Sequence, residues 1–150
     1  MQSGTHEGST GLQANGLHGR LSTGVDHPVS LIVCIHEGGC SAGYFDLPSF
    51  SFRKLAVEAG HALLMVDRPG HGASPSRDLP DPVRAAAGLL PELARKACEA
   101  LGDRALPVAA FGHSIGGAVA LHWAAADAAT LKCLVTSGVG ARPTEAALSV

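Results

Sequence analysis

The stretch "VAAFGHSIGGAVALHWAA", Val108 to Ala125, decides how this chain is read. A strand-forming run passes directly into Gly112-His113-Ser114-Ile115-Gly116, and helix-forming residues follow without a gap. A serine hydroxyl is a poor nucleophile until a base takes its proton, so it must protrude where another side chain can reach it. A sharp turn from strand to helix achieves that. Glycine is expected at 112 and 116 because side chains there would collide with neighbouring backbone. The amide of Ile115, opening the helix, would face the oxyanion of a tetrahedral adduct.

Taken alone, the pattern Gly-x-Ser-x-Gly is weak. With 19 glycines and 12 serines, chance placement yields roughly 0.2 matches in this chain. Two are present, "GCSAG" at 39–43 and "GHSIG" at 112–116. The first is separated from its preceding apolar run by His36, Glu37 and Gly38, and Pro48 soon disfavours a long helix. Ser41 therefore reads as a loop residue and Ser114 as the nucleophile candidate.

Outward from Ser114 the chain alternates. "VSLIVCI" (29–35), "HALLMVD" (61–67), "LPVAAF" (106–111) and "LKCLVTSG" (131–138) are short apolar runs expected to be strands, the first two buried on both faces. Helices are expected over 51–60, closed by Gly60, and over 81–102, with Asp81 as cap and Pro82 in the first turn. Pro91 should kink or split the second of these. A further helix follows Ser114 to residue 126. Strand alternating with helix predicts a parallel sheet with right-handed crossovers. Upstream, "GLQANGLHGRLS" suits a hairpin about Asn15-Gly16. The first ten residues read as a disordered tail, and 11–150 as one domain.

Composition sets the outer bounds. Hydrophobic residues are 46% and charged residues 16%, the balance of a globular domain. A net charge of −2 offers no basic field for nucleic acid. No apolar run approaches a membrane span, and the N-terminus lacks the apolar core of a secretory signal. Cys34, Cys40, Cys98 and Cys133 are scattered without a CxxC, which fits free thiols, those at 34 and 133 buried, and a cytoplasmic home. Metal ligation is not expected of that spacing.

"HEGG" (36–39), "DRPGHGAS" (67–74) and "GHSIGG" (112–117), in this order and spacing, resemble the α/β-hydrolase family, and the likeness runs over about residues 12–140. It implies a three-layer, mostly parallel sheet, a serine nucleophile at Ser114, and an oxyanion hole from the amides of Ile115 and Gly38, with Gly39 as the alternative donor. It implies hydrolysis of a small-molecule carboxylic ester or related acyl bond, with no organic cofactor. Where the family has His-Gly after its first parallel strand, this chain has His36-Glu37. His71 is attractive as a base, but the resemblance makes its loop structural. His36 and His113 read as turn-stabilising neighbours, and His122 and Trp123 as core residues of the helix after the elbow.

The family's triad runs serine, acid, histidine along the chain. After Ser114 the only histidine is His122, no carboxylate intervenes, and eight helical residues span roughly 12 Å, beyond hydrogen-bond reach. The chain is therefore expected to be the N-terminal part of a serine hydrolase, truncated before the strands that carry acid and histidine, with a cap segment starting near residue 139. A catalytically inactive binding module and a split enzyme are the alternatives. In either case the strand at 131–137 should present an unpaired edge to a second copy or a complementing chain.

Overall fold

The computed structural model describes residues 8–140, and within them a six-stranded mixed sheet forms the centre. Strands β1 (Ser9–Ala14) and β2 (Leu17–Ser22) make the expected hairpin. Asn15 and Gly16 both have positive φ, 51° and 78°, as a tight two-residue turn requires. Ser9 and Thr10, expected in a disordered tail over 1–10, pair in β1 instead; residues 1–7 lie outside the described part.

Next come β3 (Leu31–Ile35), a single 3-10 turn (Ala42–Phe45), a small hairpin of β4 (Asp46–Leu47) and β5 (Phe50–Ser51), and α1 (Phe52–Glu58). They are followed by β6 (Ala62–Asp67), α2 (Pro82–Ala100), β7 (Val108–His113), α3 (Ile115–Ala126) and β8 (Leu131–Ser137). Ser51 and Asp81 cap α1 and α2 by accepting from the amides of Lys54 and Arg84.

The sheet order is β1-β2-β6-β3-β7-β8, with β6, β3, β7 and β8 mutually parallel. Period-two alternation sends Leu31, Val33, Ile35, Leu64 and Val66 into a core shared with α2 and α3. Cys34, Leu63 and Met65 face the other way, into a smaller core with Ala42, Phe45 and Ala56. Both faces of β3 and β6 are thus buried, as their unbroken apolar runs require.

Four expectations need correction. Helix α2 is not split at Pro91: Ala86, Ala87, Leu90, Leu93, Ala94 and Ala97 are buried on both sides of it, and that packing holds the helix despite the lost bond. Strand β7 begins and ends two residues later than expected, because β3 and β8 hold it on both sides as far as Gly112 and His113. Cys133 is exposed rather than buried, since β8 pairs only with β7 among the described residues. His122 is exposed, whereas Trp123 is core. The cap expected from about 139 lies almost wholly outside the described residues.

Topology positions the site. From β3 the chain moves to β6 on one side, then crosses back over β3 to β7 on the other. The carboxyl ends of β3 and β7 therefore meet where the winding reverses, the place where open α/β sheets form a crevice.

Candidate functional site

Ser114 lies at that crevice, as the residue between β7 and α3. Its φ of 52° and ψ of −123° make it, with Asn15, one of two non-glycine residues of positive φ among those described. An L-residue adopts this conformation only where the surroundings impose it. They do so here through hydrogen bonds: the Ser114 amide donates to the carbonyl of Ser137 at 2.7 Å, and its carbonyl accepts from Gly117 and Ala118. The half-buried side chain is left without a hydrogen bond among the described residues.

The flanking glycines are sterically required. A Cβ on Gly112 would stand 2.3 Å from the Gly116 carbonyl oxygen, and one on Gly116 would stand 2.1 Å from the Ile35 oxygen. The start of α3 is thereby pressed against the end of β3. Ile115, the first helical residue, has an amide with no partner inside the helix and a side chain open to solvent. Gly38 sits beside it, since a Cβ there would lie 3.9 Å from Ile115 Cγ2. Gly39 is more open, with no atom within 4 Å of the equivalent point. Ser41, by contrast, has ordinary extended backbone before the 3-10 turn.

The loop after β3 is built on histidine and arginine. His36 is fully buried; its Nδ1–H donates to the Glu37 carbonyl at 2.7 Å, and its Nε2 accepts from the Arg68 amide at 3.1 Å. Those roles fix one neutral tautomer, and burial lowers the ring's pKa. Arg68, itself buried, donates from Nε to the His36 carbonyl and from Nη2 to the Glu37 carbonyl and to His71 Nε2. His71 donates from Nδ1 to the Pro69 carbonyl. Glu37, which replaces the expected glycine, turns its carboxylate to accept from the Cys40 thiol at 3.0 Å, and this bond raises the Cys40 pKa.

The "DRPGHGAS" segment supports the same loop. Asp67 accepts from the amides of Ala42 and Ala73, while Ser74 donates to the Asp67 carbonyl and accepts from the His18 amide. Gly72, at φ 52°, has no room for a Cβ because the Asp67 carboxylate fills the space. His36 and His71 are thus occupied in the scaffold. The ring of His113 stacks on Tyr44 with centroids 5.6 Å apart. There an aromatic cavity of about 320 Å³ is lined by Tyr44, Phe45, Phe52, Phe111, His113 and Ser137. His122 lies further along α3, exposed. Among the described residues, none of these histidines hydrogen-bonds Ser114.

The strand-to-helix turn at Ser114 lies where the sequence placed it, whereas Arg68 was not singled out in the sequence. The one available signal was a guanidinium directly after a strand buried on both faces, where a charge must find partners. Among the described residues no trio of His, Cys, Asp or Glu is arranged to hold a metal ion, and no helix is long and apolar enough to cross a membrane.

Solved structures share this fold. No curated protein sequence matches the chain. A carboxyl esterase from Bacillus coagulans superposes with a TM-score of 0.71 at 22% identity, covering 90% of this chain and 45% of its own. A hydrolase from Pseudomonas aeruginosa gives 0.68 at 21%, with 95% and 50% covered, and a monoacylglycerol lipase from Paleococcus ferrophilus 0.65 at 21%, with 89% and 48% covered. The chain spans about half the length of these structures. The sequence pattern of the alpha/beta hydrolase family matches residues 32–150. With that match, and a mostly parallel sheet whose β7 ends in a strained Gly-x-Ser-x-Gly turn, the chain belongs to the alpha/beta hydrolase family.

Proposed function

We propose that this chain is the nucleophile-bearing part of a serine hydrolase that cleaves a carboxylic ester or related acyl bond. The observation that carries this is the backbone of Ser114, held at φ 52° between β7 and α3. In the proposed reaction Ser114 Oγ attacks the acyl carbonyl as a base removes its proton. The oxyanion is held by the amides of Ile115 and Gly38, with Gly39 as the alternative. Collapse expels the alcohol, protonated by the same base, and water then hydrolyses the acyl-enzyme and returns Ser114. Gly112, His113 and Gly116 shape the turn and take no part in the proton transfers. The similarity to esterases and a lipase supports an ester over other acyl bonds. Four free cysteines support a cytoplasmic site of action.

The base and its acid belong to a segment beyond the described residues or to a complementing chain, because the histidines near the crevice are engaged elsewhere. That same observation favours a second possibility, a pocket-bearing module without turnover. Hydrolysis of an activated aryl ester by the purified chain and by Ser114→Ala tests both. The expected outcome is a residual rate, far below that of a complete triad and little changed by the substitution, because oxyanion donors without a base retain about 10³–10⁴-fold over water. A rate no higher than that of the uncatalysed reaction favours the inactive module. Triad-level turnover abolished in Ser114→Ala would show that a base lies within this chain.

A further inference from the structure

We propose that Arg68 is a positioning residue for the oxyanion donors: its guanidinium sets the backbone of residues 36–39 so that the Gly38 amide faces the elbow. This rests on the assignment of Ser114 and Gly38 made above.

Arg68 is 9% exposed, yet among the described residues no carboxylate lies within ion-pair distance of it. Burying a cation without a counter-ion is expensive unless its donors are satisfied. Two of its three nitrogens donate to one loop: Nε to the His36 carbonyl at 3.2 Å, and Nη2 to the Glu37 carbonyl at 2.9 Å. His71 Nε2, 3.3 Å from Nη2, orients the guanidinium from the far side.

The consequence follows from the planar trans peptide, since none of the described peptide bonds is cis. The carbonyl of Glu37 and the amide of Gly38 belong to one peptide unit and point in opposite directions. Arg68 Nη2 and His36 Nδ1–H both bind the Glu37 oxygen, holding it inward. The Gly38 N–H is therefore turned outward, on the side where Gly38 neighbours Ile115. The pinned unit is Glu37–Gly38, not Gly38–Gly39, so Gly38 is the donor that Arg68 aims. The geometry also accounts for a glutamate where the family has glycine: the carbonyl is held by Arg68, and the side chain is free to meet Cys40. Lysine presents a single point charge and cannot reproduce the planar fork.

The test is backbone ¹⁵N relaxation on the 150-residue chain, comparing wild type with Arg68→Lys and Arg68→Gln. In the wild type the Gly38 amide should be as ordered as β3 and β6, with an order parameter of about 0.85. In Arg68→Gln it should fall below about 0.6 while the strands keep their values, and Arg68→Lys should lie between. A folded Arg68→Gln whose Gly38 amide stays rigid overturns the proposal. So does a uniform loss of order through β3 and β6, which would make Arg68 a general stabiliser. If the glutamine variant does not fold, Arg68→Lys decides alone: Gly38 must loosen selectively, and an unchanged value overturns the proposal. No substrate is involved, so a failure of Ser114-dependent ester cleavage would count against the hydrolase assignment without altering this readout.

Discussion

Replacing Gly116 with alanine isolates the contact that holds the elbow against the sheet. The new Cβ would stand 2.1 Å from the Ile35 carbonyl oxygen and 2.5 Å from that of His36. Ordinary contact begins at 3.4 Å, so α3 and the end of β3 must separate by about 1.3 Å. Overpacking a core generally costs about 1–3 kcal/mol, and here the upper end applies because the obstacle is backbone that cannot rotate away. Alanine returns at most about 1 kcal/mol of helix propensity. The net loss is then about 2–3 kcal/mol, or roughly 10 °C in Tm for a chain of this size. Gly88→Ala is the matched control, since Gly88 lies exposed in α2 with no atom within 4 Å of a Cβ. It should gain up to about 1 kcal/mol from the same propensity. Urea unfolding followed by far-UV circular dichroism measures both variants. A Gly116→Ala chain as stable as wild type, beside a stabilised Gly88→Ala, would refute the close approach of α3 to β3.

Strain at the elbow gives the opposite sign. Ser114→Gly should raise stability by about 1 kcal/mol, because glycine relieves a positive-φ cost of about 1–3 kcal/mol and returns part of it as chain entropy; a lower unfolding midpoint would contradict the strain. Stability should also depend on His36, whose pKa is lowered by burial. The unfolded chain binds its proton first as pH drops, so stability is complete above about pH 6.5 and declines below it, with a limiting slope of about 1.4 kcal/mol per pH unit. Urea midpoints measured from pH 7.5 to 5 should lose that slope in His36→Gln. At the sheet edge, Val135 is 50% exposed on a strand paired on one side among the described residues. The isolated chain should self-associate in light scattering, and Val135→Lys should shift it toward monomer by charging the edge; a dispersed wild-type monomer would count against this.

The elbow, the Asn15-Gly16 hairpin and the Asp81-Pro82 helix start were all legible in the sequence. Each depends on the dihedral and capping preferences of a few consecutive residues, and those preferences travel with the residues themselves. So was the burial of β3 and β6 on both faces, because a strand without polar alternation has no face to give to water. What pairs with what was not. β3 lies between β6 and β7, and that arrangement alone brings the Gly38 loop to Ile115 across some seventy-five residues of chain. A shorter separation, 32 residues, hid Arg68, which reads as an ordinary loop cation until the fold places it beneath the carbonyls of His36 and Glu37. Pro91 and Cys133 show the limit from both sides. A residue that breaks isolated helices survives where burial flanks it, and a thiol in an apolar run is exposed where its strand lies at the edge. Local preference sets conformation, but burial and charge compensation are properties of neighbours, and only the tertiary structure chooses those.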